Sequence, residues 1–214
     1  MRIDYEEIQL YTRLTHHSFE ELIEKYHTNN VSYYREIGEE DAWFYKSSPY
    51  HLYDILKTRD TGLYEIWYDY IKRRIERKST VFDFGAGIGT LEVVLLKRYP
   101  SVLTVEEPNL LCLDFIHWRV ARRGFTFSPL TEHYDYVVSI DTLQRLPSDD
   151  IKPTLDWLIG LGDRCFIYVN SDDRHPLYNK VPFDIEEYVI KAGLEVENFH
   201  GLLNIKVKKD EQIS

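Results

Sequence analysis

Hydrophobic and polar positions follow two different periods along this chain. Up to about residue 78, apolar residues recur at three- and four-residue steps, the period of helices that bury one face. The clearest run is Leu63, Ile66, Trp67, Tyr70, Ile71 and Ile75, with Asp60 or Thr61 ahead of it as a cap. Ser18 followed by Glu21 forms a capping box before Leu22 and Ile23. Ser48-Pro49 opens a further helix over 50–57, because proline suits a first helical turn. Looser stretches lie around Asn29-Asn30 and over 38–48.

From Thr80 onward, short apolar runs alternate with helical ones. Strands are expected over 81–84, 102–105, 125–127, 136–140 and 165–169. Helices are expected over 91–99, from a cap at Asn109 to Arg123, over 148–161 and over 182–192; Gly124 and Gly193 stop the second and the last. Pro153 falls several residues past the expected cap at Ser148 or Asp149, so that first turn should be irregular. Two further strands, 196–200 and 203–207, pair as a closing hairpin around Gly201. Alternating strands and helices build a parallel sheet covered on both faces. The expected fold is therefore α/β and Rossmann-like: a mostly parallel seven-stranded sheet with a closing antiparallel hairpin. The connection over 128–134 is too short for a helix and should be a bare loop. The chain divides into an N-terminal helical cap, 1–78, and a sheet domain, 79–214.

Composition narrows the partners. The 214 residues carry a formal net charge of −10, with 43% hydrophobic and 29% charged residues, ordinary for a globular chain. That acidity argues against DNA and other large nucleic-acid footprints, which depend on cations at phosphates. The two basic clusters, Arg73, Arg74, Arg77 and Lys78, and Arg119, Arg122 and Arg123, read as cations in the last turns of helices. Cys112 and Cys165 sit in apolar segments and read as small buried hydrophobes, with no disulfide framework. The opening MRIDYEEIQL lacks the cationic and apolar regions of a signal peptide, and no apolar run is long enough to span a membrane. A cytoplasmic protein without a membrane anchor is expected. Tyrosine is abundant and unevenly spread: 11 of 17 lie in 1–78, whereas 8 of the 10 Phe lie beyond it.

The sharpest chemical signal is Asp83-Phe84-Gly85-Ala86-Gly87-Ile88-Gly89-Thr90, a glycine turn between a strand and a helix. Glycines there permit a tight turn and close approach of the backbone to a ligand. The spacing is GxGxG with Thr90 following. It is neither a P-loop, which needs Gly-Lys-Ser/Thr, nor a good dinucleotide fingerprint. About 20 residues on, Val105-Glu106-Glu107-Pro108-Asn109 places carboxylates where the second strand leaves the sheet. A carboxylate there can accept hydrogen bonds from both hydroxyls of a ribose.

With VFDFGAGIGT, TVEEPN and YDYVVSIDTLQRL in this order, residues 79–209 resemble the class I S-adenosylmethionine-dependent methyltransferases. The resemblance implies S-adenosylmethionine as cofactor. It implies that Asp83 helps hold the methionine end and that Gly85, Ala86 and Gly87 lie against the cofactor. Glu107, or Glu106 in the alternative register, would hold the ribose. Ser139, Ile140 and Asp141 would flank the transferred methyl. The family often carries an acid after the third strand for the adenine amine; Phe127-Ser128-Pro129 stands there, leaving Ser128 or a backbone group to substitute. Gln144 replaces a histidine common in the family.

Methyl transfer from a sulfonium is an in-line displacement, dominated by alignment, and needs a base only for a protonated acceptor. Asp141 and His175 are the candidate catalytic residues beyond the strand ends. Asn170-Ser-Asp-Asp-Arg-His175 is the most polar stretch there, and without a second acid cluster it does not read as a metal site. The aromatic run 42–53 is the candidate acceptor pocket, with Trp43, Tyr50 and Tyr53 as substrate-binding residues. The motif that adenine-specific nucleic-acid methylases carry after the fourth strand is replaced by Ser139-Ile-Asp-Thr. The expected activity is methyl transfer to a small molecule. The alternatives are a protein or RNA acceptor, or a catalytically silent cofactor-binding scaffold.

Overall fold

The computed structural model describes residues 2–13, 21, 52, 55–56, 62–97, 102–170 and 181–207. These residues form helix α1 (Arg2–Thr12), α2 (Leu63–Arg74), strand β1 (Thr80–Phe84), α3 (Thr90–Leu96), β2 (Val102–Glu106), α4 (Leu110–Ala121), β3 (Tyr134–Ile140), a 3₁₀ turn (Leu143–Arg145), α5 (Ser148–Leu161), β4 (Gly162–Tyr168), α6 (Ile185–Lys191), β5 (Glu195–Phe199) and β6 (Leu202–Lys206). Contacts group them into two compact units. One holds the described residues up to Asp69 together with Gly87–Lys97 and Glu107–Thr126. The other holds the remaining described residues.

All the strands lie in the second unit and form one sheet in the order β2-β1-β3-β4-β6-β5. β2, β1, β3 and β4 run parallel, and β6 is antiparallel to both β4 and β5. The closing hairpin therefore stands as expected. His200 and Gly201 turn it with φ of 53° and 85°, the pair of positive values that a two-residue hairpin loop needs. Among the described residues the sheet has six strands, not seven. Residues 125–127 form no ladder. Just beyond them, the Ser128 N–H donates to the Leu103 carbonyl of β2 at 2.8 Å, and the Thr104 hydroxyl of β2 donates to the Pro129 carbonyl at 3.3 Å. Three residues ahead of Pro129, which lacks an N–H to donate, are too few to extend the pairing.

One face of the sheet buries Phe82, Val137, Cys165, Ile167, Leu203 and Ile205 against Ile151, Leu155 and Leu158 of α5 and Ile185 and Val189 of α6. The central strands are apolar on both sides, as double burial requires: β3 is buried at every position but Asp135. On the other side, Tyr70 meets Phe166 edge-on at 6.2 Å and stacks on Phe199 at 4.1 Å. The Arg74 guanidinium lies over the Tyr70 ring and pairs with Glu197. The helical stripe of α2 is real but shifted, since Trp67, Tyr70, Ile71 and Ile75 are buried while Ile66 is exposed. In α5 neither Ser148 nor Asp149 caps the helix. Pro147 occupies the cap without a side-chain bond, and the Asp150 N–H donates to its carbonyl, three residues back, at 2.9 Å.

In the first unit, Ile8 of α1, the helical residues Leu52, Ile55 and Leu56, Ile88, and Cys112 and Phe115 of α4 form a separate core. Both cysteines are buried thiols outside any disulfide, and burial pushes the Cys165 thiol up to about 12. No helix of the described residues is long and apolar enough to cross a membrane.

Candidate functional site

Asp83 is buried on β1, in register with Val105 of β2 and Val138 of β3. β1 then runs into Gly85, whose N–H donates to the Glu106 carbonyl at 2.7 Å and whose φ is 78°. A Cβ on Gly85 would lie 2.1 Å from Oγ1 of Thr142. The glycine is thus demanded by the buried threonine after β3 as well as by its own backbone angle. Ala86, next in the chain, is buried.

The first unit takes up the turn at Gly87. The Gly87 N–H donates to Oε2 of Glu107 at 2.7 Å, and the Asn109 N–H donates to Oε1 of the same carboxylate at 2.8 Å. Both carboxylate oxygens are thereby oriented by backbone, the strong charge-assisted kind of bond. Glu106, by contrast, is exposed at the end of β2. Asn109 caps α4 as its sequence predicts, accepting from the Cys112 N–H at 3.0 Å. Gly89 stands before α3 with φ of 70°, and a Cβ there would come within 2.9 Å of Ile116.

Ile140 ends β3 and is buried. Asp141 follows in the left-handed region with φ of 61°, uncommon for a residue with a side chain. Its N–H donates to the Tyr168 carbonyl at 3.0 Å. Its Oδ1 accepts from the side-chain amide of Gln144, which is fully buried. The Gln144 Oε1 and the Ser139 hydroxyl, both buried nearby in sequence, have no hydrogen-bond partner among the described residues. Such orphaned polar atoms are uncommon in folded proteins; Glu92 Oε2 and Asn204 Oδ1 are the others among the described residues. Ser128 is half-buried on the strap beside β2. The remaining candidates, His175, Trp43, Tyr50 and Tyr53, lie outside the described residues. Among the described residues, no cluster of His, Cys, Asp and Glu could hold a metal ion.

Sequence reasoning missed Arg119. It does sit in the last turn of α4, but as one of the largest fully buried side chains, not as a solvated cation. It pairs with Asp4 and Glu7 of α1 and donates to the Ile88 carbonyl. The carboxylates at a helical spacing in the first turns of α1 were its only signal.

No family model and no curated protein matches the sequence. Solved structures do match in fold. An O-methyltransferase family protein from Burkholderia thailandensis aligns with a TM-score of 0.59 at 17% identity, over 88% of this chain and 71% of that one. An S-adenosylmethionine-dependent methyltransferase from Clostridium acetobutylicum aligns with a TM-score of 0.55 at 15% identity, over 74% and 97%. The magnesium protoporphyrin IX methyltransferase of Synechocystis PCC 6803, solved with bound S-adenosylmethionine, aligns with a TM-score of 0.52 at 16% identity, over 84% and 96%. The fold is that of the class I S-adenosylmethionine-dependent methyltransferases. At such identities the likeness concerns the fold, and the residues above must carry the chemistry.

Proposed function

We propose that this chain is an S-adenosylmethionine-dependent methyltransferase acting on a small-molecule acceptor. One observation carries the reading: the Glu107 carboxylate, aligned by the N–H groups of Gly87 and Asn109, in a chain that combines this glycine turn with this fold. A carboxylate oxygen accepts more than one hydrogen bond, so backbone donors can orient Glu107 while ribose hydroxyls donate to it. The donor set therefore fits the cofactor. When bound, S-adenosylmethionine supplies an activated methyl on a sulfonium.

The chain's own residues would do the rest. Asp83 would accept from the methionine ammonium. Gly85, Ala86 and Gly87 would let the cofactor approach the backbone. Glu107, rather than the exposed Glu106, would fix the ribose, and Ser128 would serve the adenine edge. Ile140 would present an apolar wall beside the methyl. Asp141, its carboxylate steadied by Gln144, would orient the acceptor and take its proton where it has one. His175 would be a second base, and Trp43, Tyr50 and Tyr53 the acceptor's aromatic walls. The net charge of −10 disfavours a nucleic-acid acceptor and supports a small molecule.

Calorimetry with S-adenosylmethionine, S-adenosylhomocysteine and NAD tests the reading. Heat with the sulfur nucleosides and none with NAD is expected. Asp83→Ala and Glu107→Ala should each weaken binding by about 1–3 kcal/mol. Loss in Glu106→Ala with no change in Glu107→Ala would reverse the ribose assignment, and no heat with either sulfur nucleoside would refute the cofactor.

A further inference from the structure

The glycine turn is gripped from α4 at three points. Glu107, leading into the helix, accepts the Gly87 N–H at 2.7 Å. Ile116 fills the space a side chain would need at Gly89. Arg119, three residues on and so on the same helical face, donates from its Nη1 to the Ile88 carbonyl at 2.5 Å. Three successive residues of the turn are thus each fixed by α4 or its lead-in.

Only the third grip reaches further. Arg119 is fully buried, and its other nitrogens are spent on α1: Nε donates to Glu7 at 2.7 Å and Nη2 donates to Asp4. Glu7 also accepts from Arg123 at 2.6 Å, and Asp4 accepts from the Thr90 hydroxyl, the first residue of α3, at 3.4 Å. Among the described residues, the ion pairs set two carboxylates, Asp4 and Glu7, against two guanidiniums, Arg119 and Arg123. A buried guanidinium left without one of its carboxylates would be strongly penalised, so the docking of α1 and the position of Arg119 are one event.

We infer that Arg119 is a positioning residue for the cofactor turn, through which the docking of α1 sets cofactor affinity. This rests on the methyltransferase reading. Asp4 and Glu7 fix the guanidinium, the guanidinium fixes the Ile88 peptide, and the peptide sets the aim of the Gly87 and Gly89 backbone. By reciprocity, a cofactor that binds the ordered turn tightens α1 by the same factor.

The test uses the full chain and S-adenosylhomocysteine, titrated by calorimetry well below each variant's melting temperature. Arg119→Met should weaken binding by about tenfold or more, since about 1.4 kcal/mol corresponds to tenfold. Should that variant fail to fold, Asp4→Asn and Glu7→Gln decide, as they keep size while removing the charge and one acceptor oxygen each. Each should weaken binding about three- to tenfold, although neither is assigned to the cofactor. Amide exchange of the free protein gives the readout a merely structural role would not move. In Asp4→Asn, the amides of Gly87, Ile88 and Gly89 should exchange faster while those of β3 and β4 keep wild-type protection. Folded variants with wild-type affinity, or exchange that rises uniformly with lost global stability, would overturn the inference while leaving the cofactor reading intact. Failure of the wild-type protein to bind S-adenosylhomocysteine would overturn both.

Discussion

Gly85→Ala isolates the reason for the first motif glycine. Two penalties add. The left-handed backbone at φ 78° disfavours any L side chain by about 1–2 kcal/mol. The new methyl would also stand 2.1 Å from Oγ1, 2.3 Å from Cγ2 and 2.7 Å from Cβ of Thr142, so the threonine must move. It is 8% exposed, and its hydroxyl donates to the Ile140 carbonyl at 3.2 Å. Displacing such a side chain resembles overpacking a core, about 1–3 kcal/mol. A loss of about 2–5 kcal/mol is expected, a large share of an ordinary domain's stability. Urea denaturation in two backgrounds separates the penalties. With Thr142→Gly already in place, the steric part vanishes and Gly85→Ala should cost only about 1–2 kcal/mol. Equal losses in both backgrounds would refute the account that Thr142 occupies the glycine's space.

Two further outcomes follow from buried or strained groups. Because burial raises the Cys165 thiol to about 12 from its ordinary value near 9, the folded protein keeps a proton that the unfolded chain releases. Its contribution to stability is complete below pH 9 and declines as pH rises from there towards 12, and a thiol reagent at pH 8 should modify Cys165 only after denaturant is added; prompt labelling of the native protein would contradict this. Asp141→Asn should keep stability within about 0.5 kcal/mol, since asparagine tolerates left-handed backbone, whereas Asp141→Val should lose about 2 kcal/mol. Thermal melts showing equal losses would dismiss backbone strain at that position.

The legible parts of the fold were those with strong local signals. The cap at Asn109, stops such as Gly124 and Gly193, and doubly apolar strands placed most of the described residues of 80–207 to within a few residues. Residues 125–127 misled because so short a run, Phe-Thr-Phe, can support a strand only if a neighbour offers a ladder, and Pro129 follows. The glycine turn was visible, but its reason was only half visible. Spacing suggests room for a ligand, whereas the structure shows Thr142 and Ile116 packed where two of the side chains would be. Those partners lie 57 and 27 residues away, beyond the reach of any local pattern. Arg119 was hidden for the same cause: its carboxylates belong to a helix more than a hundred residues earlier.

The insertion of β6 between β4 and β5 has a consequence for how the chain comes to be folded. During synthesis, β4 emerges long before β6, and its outer edge stays open while α6 and β5 are made. A strand edge that waits for a later partner is the place where a nascent chain can pair with the wrong neighbour. The sheet can close only when residues 202–206 arrive, so its completion depends on contacts distant in sequence and is intrinsically slow. The two-residue turn at His200 and Gly201 at least keeps the last pairing local, since β6 meets β5 across few intervening residues.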